Sequence, residues 1–128
     1  MFTLKQINAL HSRLGRAQTF LEYVRALSAI GVEKYDSYLA DGHSEYFGSS
    51  GEQINSPAAH EELAIAEKSD RKSFLEHLGL HGQGETGYLE MSRGLAESGI
   101  EKWTVDVGHT TMIYYDRAGN EILVEKIE

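Results

Sequence analysis

Apolar residues at Leu4, Ile7, Leu10 and Leu14 recur at the three-to-four spacing that lines one face of a helix. Thr3, with Gln6 three residues on, has the capping-box arrangement at its start. Phe20, Val24, Leu27 and Ile30 form a second stripe, and Thr19 with Glu22 predicts a second capping box. Gly31 follows where the chain must leave the helix through a left-handed residue. The pattern then changes to an extended run, Tyr35 to Leu39. Asp41-Gly42 predicts a two-residue hairpin turn, and Ser44 to Phe47 the returning strand. Further on, Ser69 or Asp70 caps a helix running through Leu78, its end marked by Gly79, Gly82 and Gly84. Strands are predicted over Trp103 to Val107, Met112 to Tyr115 and Glu121 to Ile127, with a turn at residues 116–120.

The second half repeats the first. At an offset of 68 residues, positions 20–54 lie over 88–122 without a gap, and 10 of these 35 positions hold the same residue type. Ordinary amino-acid usage gives about two. The matches are Leu21, Glu22, Arg25, Leu27, Gly31, Glu33, Lys34, Tyr46, Gly51 and Ile54. The chain therefore reads as a single domain over 1–128, with one unit at 3–54, a connector at 55–68 and a second unit at 69–127. Within the connector, Leu63 to Ala66 fits a short strand or a helical turn equally well. Alternation places Tyr35, Ser37, Leu39, Ser44 and Tyr46 on one sheet face, with Trp103, Val105, Val107, Met112 and Tyr114 in the second unit. This face is the core, and Trp103 is expected to be largely buried against Leu27 or Leu95. The other face carries Lys34, Asp36, Tyr38, Glu45, Phe47, Lys102, Thr104, Asp106, Ile113 and Tyr115. The expected fold class is α+β, with duplicated helix-helix-antiparallel-hairpin units and all helices on one face of an antiparallel sheet.

Composition narrows the chemistry. The chain of 128 residues has no cysteine, which removes disulfides, thiolate nucleophiles and cysteine-ligated metals. Its net charge of −8, without a local basic patch, disfavours nucleic-acid binding. No apolar run approaches the roughly 20 residues of a membrane span. Residues 1–10 lack the basic start and apolar stretch of a secretion signal, so a cytoplasmic location is expected.

The chain resembles the YbcV-like family of small bacterial proteins found in enterobacteria and their prophages, whose members are often labelled phage envelope proteins. The resemblance is carried by Gly31-Val32-Glu33-Lys34-Tyr35, by Asp41-Gly42-His43 with Tyr46-Phe47-Gly48, and by Ile65-Ala66-Glu67. It continues through residues 96–103, Tyr114-Tyr115-Asp116 and residues 119–122. It implies a bacterial or prophage origin and brings no catalytic or binding residue with it.

Candidate chemistry is sparse. His77 and His81 are four apart, a helical metal-ligand spacing, but histidines also favour a last helical turn through the helix dipole, and no metal or cofactor is expected. His43 and His109 lie in or beside hairpin turns near Asp41 and Asp106, where a carboxylate could orient an imidazole base. Turns also favour polar residues for backbone reasons alone. Glu33-Lys34 and Glu101-Lys102 recur at the strand entrances, read as shielding strand ends or edges. Nucleophile-elbow and phosphate-loop patterns are missing. Tyr38, Phe47, Ile113 and Tyr115 predict an apolar patch on the open face, and such patches mark binding sites. This face could serve a protein partner, a small molecule or a second copy of the chain, or be covered by residues 55–68. The favoured reading is a non-enzymatic binding module using Tyr38, His43, Phe47, Asp106, His109 and Tyr115. The alternative is a small enzyme in the seam between units, using His43 or His109 with Asp106 and a tyrosine.

Overall fold

A computed structural model describes residues 2–15, 19–82 and 88–127. Helices α1 (Leu4–Leu14) and α2 (Phe20–Ala29) precede strands β1 (Val32–Tyr38), β2 (Ser44–Gly48) and β3 (Gln53–Asn55). The order then recurs as α3 (Arg71–Gly82), α4 (Tyr88–Glu97), β4 (Ile100–Asp106), β5 (Thr111–Asp116) and β6 (Glu121–Lys126). The six strands form one antiparallel sheet in the order β3-β2-β1-β4-β5-β6. The protein is α+β, as the pattern of its residues predicts.

Local signals account for most element ends. At α1 the Thr3 hydroxyl accepts from the Gln6 N–H, while the Gln6 side chain accepts from the Thr3 N–H. At α2 the expected box is not made: the Thr19 hydroxyl donates to the Leu14 carbonyl at 2.6 Å, which ties the chain back to α1. Asp70 caps α3, accepting from the Ser73 N–H at 3.1 Å. That helix runs through Gly79, past the expected end at Leu78, and is described as far as Gly82; Gly84 lies outside the described residues. Gly31 (φ 98°) and Gly99 (φ 87°) provide the left-handed exits from α2 and α4.

Two core clusters share one face of the sheet. Phe2, Ile7, Tyr23, Val24 and Leu27 of the first helical layer pack on Tyr35, Tyr46, Val105 and Val107. Phe74, Met91 and Leu95 of the second pack on Leu39, Ile100 and Tyr114. Trp103 and Met112 touch both clusters. Trp103 packs on both the Leu27 and the Leu95 clusters, at the junction of the two helical layers, without being fully enclosed. Tyr23 meets Tyr35 edge to face and Tyr35 lies tilted against Tyr46 inside the first cluster, and burial pushes all three phenol pKa values up.

The β1–β2 and β4–β5 registers agree to the residue, whereas β5–β6 carries an irregularity at Tyr114/Tyr115 that β2–β3 lacks. Tyr35 opposes Tyr46, and Trp103 opposes Tyr114, each 68 positions on. A β-bulge falls at Glu33 in one half and at Glu101 in the other. The central pair, β1 with β4, is reciprocal: Lys34 opposes Asp106, Tyr38 opposes Lys102, and Asp36 meets Thr104 at the centre. The Leu39 N–H donates to the Glu101 carbonyl at 2.9 Å, and the Val107 N–H to the Glu33 carbonyl at 2.9 Å. The Glu-Lys pairs therefore do not guard sheet edges. They sit on the two middle strands, where the bulges bend the chain into the helices.

The two main hairpins close through residues 39–43 and 107–110. The Asp41-Gly42 turn is not a two-residue one, because Leu39 is drawn into the core and only Gly42 takes positive φ (76°). The connector hangs from this loop: the N–H groups of Ala59 and His60 donate to the Asp41 carbonyl, and that of Leu63 to Ala40. The Ala66 N–H then reaches the Ala96 carbonyl. Leu63 to Ala66 forms neither strand nor helix, and these bonds carry the connector around the end of the sheet rather than across its open face.

Candidate binding face

The face opposite the helices belongs to neither core cluster. Alternation along β1, β2, β4 and β5 brings Lys34, Asp36, Tyr38, Glu45, Phe47, Lys102, Thr104, Ile113 and Tyr115 together on it, and Val124 of β6, 53% exposed, extends it. At its centre Asp36 is 6% exposed, accepting from the Thr104 hydroxyl at 2.5 Å with the Lys102 ammonium 3.8 Å away. A buried carboxylate needs such partners, since burial without them would cost several kcal/mol.

Both lysine ammonium groups lie beside aromatic rings, Lys34 exposed and Lys102 half-buried. Lys34 sits 5.0 Å from the centre of Phe47, and Lys102 lies between Tyr38 (5.6 Å) and Tyr115 (5.3 Å). These distances are within cation–π range. Lys34 with Phe47 and Lys102 with Tyr115 occupy equivalent places in the two halves, 68 positions apart. The result is a fixed, partly exposed surface of rings, each with a cation beside it. Long side chains held this way lose little further entropy when a ligand covers them.

One end of this face is the β1–β2 loop. The His43 ring stacks on Tyr38 at 4.6 Å with the planes 4° apart. Its Nδ1 is 2.6 Å from Asp41 and its Nε2 3.1 Å from Glu45. Burial alone would lower the His43 pKa, but the two carboxylates outweigh it and raise the value above 6.5. Asp41 responds in the opposite sense: burial would raise its pKa, and the bonds from His43 hold it below 3.8. The Tyr38 phenol is shifted up by burial and by the nearby Glu45, Asp36 and Glu101 charges.

The other end is the β4–β5 loop. His109 Nδ1 lies 2.9 Å from Asp106, whose pKa is lowered because bonds from His109 outweigh the effect of burial. Glu33, Lys34, Asp106, Gly108 and His109 line an open concavity of about 300 Å³. Thr110 carries a positive φ of 49° here.

The six candidate residues therefore separate. Tyr38, Phe47 and Tyr115 share the open face with their lysines. His43 joins them at one end, while Asp106 and His109 are at the other. Four residues of β1 separate the two ends, about 13 Å at the usual strand rise. His43 is not brought to Asp106, and no tyrosine lines the His109 concavity. His77 and His81 both lie on α3, and His77 packs against α4 where Gly94 leaves room for its ring. Among the described residues no three His, Asp or Glu side chains converge to hold a metal ion. Lys34, Asp36, Lys102 and Thr104 were visible as members of this face but not as its organising centre; the β1–β4 pairing that joins them spans 68 residues.

Residues 8–126 match the model of a family described as a protein of unknown function, DUF1398. The chain belongs to the DUF1398 family. No curated protein matches it. In this DUF1398 chain no described helix is long and apolar enough to cross a membrane.

Proposed function

We propose that this protein is a small non-enzymatic binding module of the cytoplasm whose working surface is the open sheet face. The observation that carries the reading is the pair of lysine–aromatic contacts, Lys34 on Phe47 and Lys102 between Tyr38 and Tyr115, on a sheet face that the helices leave clear. Apolar rings kept partly exposed in a fixed array cost solubility, and surfaces of this kind mark contact sites. The enzyme alternative keeps its His109–Asp106 pair, 2.9 Å apart, but has no tyrosine among the residues lining that concavity, and His43 stands at the other end of the face. We further propose that the chain arose by internal duplication, which accounts for the matching β1–β2 and β4–β5 registers and the equivalent bulges at Glu33 and Glu101, and that its origin is bacterial or prophage, in line with its YbcV-like sequence.

The test is affinity capture from the native host, reading both proteins and small molecules, with three baits. These are the wild-type chain, the face variant Phe47→Ala/Tyr115→Ala, and Leu75→Ala, which alters an exposed leucine of α3. The reading expects a species retained by wild type and by Leu75→Ala but lost from the face variant. Retention by the face variant overturns it.

A further inference from the structure

The Asp41–His43–Glu45 cluster places an acceptor at each ring nitrogen of one imidazole. A neutral imidazole has one N–H and one lone pair, so it satisfies only one of two facing carboxylates. At 2.6 and 3.1 Å both contacts are hydrogen-bond distances, and only the imidazolium donates to both. The same ring lies flat on Tyr38, where a cation is attracted by the ring face. The Glu45 carboxylate also lies near enough to the Tyr38 phenol to help raise its pKa. The backbone is tied in as well: the Tyr38 N–H donates to the His43 carbonyl at 3.0 Å, and the His43 N–H to Asp41 at 3.0 Å.

We propose that this cluster is a proton-operated clasp that fixes the Tyr38 end of the open face, so that gain or loss of one proton on His43 sets the shape of the binding surface. The inference rests on the binding-face reading for its purpose but not for its mechanism. Every neighbouring charge bears on it. Asp41 from the loop and Glu45 from β2 favour the proton. Lys102 of β4 lies against the Tyr38 ring at 5.6 Å and opposes it, while Asp36 and Glu101 add negative charge around Tyr38. His60 of the connector packs against Gly42 in the same loop. When His43 loses its second proton, a lone pair faces a carboxylate. One contact turns repulsive, and the ring's hold on Tyr38 weakens.

Long-range ¹H–¹⁵N spectra of the histidine rings of the whole chain, recorded from pH 5 to 9, read this directly. Both His43 nitrogens are expected to be protonated at pH 6, with a midpoint above 6.5. The Tyr38 ring signals and the Gly42 amide are expected to move with that same midpoint. Glu45→Gln should bring the midpoint down, and His43→Gln should abolish the Tyr38 response while amide dispersion is retained. If His43→Gln fails to fold, Glu45→Gln carries the test alone. A His43 midpoint at or below 6.5, a single-proton tautomer at pH 6, or Tyr38 signals indifferent to His43 overturns the clasp. Because these readings use the free protein, their failure leaves the binding face standing; loss of the face reading in the capture experiment leaves the clasp standing.

Discussion

Thr110 and Gly42 lie 68 positions apart in the two main hairpin loops, and both take positive φ. For a β-branched residue that conformation costs about 1–2 kcal/mol, whereas glycine adopts it freely but gives up about 0.5–1 kcal/mol of chain entropy. Thr110→Gly is therefore expected to stabilise the fold by about 0.5–1 kcal/mol in urea melts; destabilisation would show that the Thr110 side chain, not the backbone, sets that loop. Gly42 has no such freedom, since a Cβ there would stand 2.8 Å from the His60 ring and 2.9 Å from Ala59. Ser92 on α4 is another residue at odds with its site, fully buried with no hydrogen-bond partner among the described residues. Its counterpart in the first half is Val24. Ser92→Ala should raise stability by about 1 kcal/mol, because a buried hydroxyl without a partner is removed; a loss of that size would reveal a bond to the hydroxyl.

Asp116 adds a pH dependence with a definite sign. Burial would raise its pKa, but the N–H groups of Asn120 and Ala118 and the Asn120 side chain outweigh burial and hold it below 3.8. A carboxyl depressed in the folded state contributes stability above the unfolded value, and that contribution is lost as pH falls through the folded value. Asp116→Ala should thus cost stability at pH 7 and progressively less below pH 4, as followed by melts across that range. The clasp at His43 has the opposite sign. Its raised pKa gives stability fully present below 6.5 and lost as pH climbs through the folded value.

At the scale of elements, helix stripes and strand alternation were legible because each depends on side chains a few residues apart. Leu4, Ile7, Leu10 and Leu14 place α1 without help, and the parity of Tyr35 and Tyr46 assigns the core face correctly. Strand β3 was not legible: Gln53-Ile54-Asn55 is too short and polar to show a period, and it exists because β2 offers it an edge. The Thr19 box failed because Thr19 is not extended at the helix start (φ −117°, ψ 15°), and its hydroxyl is directed back to donate to the Leu14 carbonyl. That Trp103 meets both the Leu27 and the Leu95 clusters was not legible, because the joint between two helical layers is not a local property. Since Trp103 links both clusters but is only partly buried, Trp103→Ala is expected to cost about 2–3 kcal/mol, below the 3–5 kcal/mol of a fully buried large aromatic. A cost under 1 kcal/mol would mean that the two clusters do not depend on it.

At the scale of the whole molecule, the β1–β4 pairing turns two similar halves into one continuous sheet, and this contact builds the candidate site. The sequence repeat showed that the halves are alike but not that they pair through their first strands. A reciprocal antiparallel pairing of two like strands sets equivalent residues opposite one another at its centre, as Asp36 meets Thr104 here. That meeting buries a carboxylate beside Lys102 and leaves the flanking rings of Tyr38, Phe47 and Tyr115 to face outward. The most direct measurement is site-specific photo-crosslinking in living cells of the native host. A photoreactive phenylalanine would replace Phe47 or Ile113 on the open face, or Leu75 or Leu89 on the helical side. The account predicts a discrete adduct from the two sheet positions and none from the two helical ones. An adduct from Leu75 or Leu89, with none from Phe47 or Ile113, would contradict it.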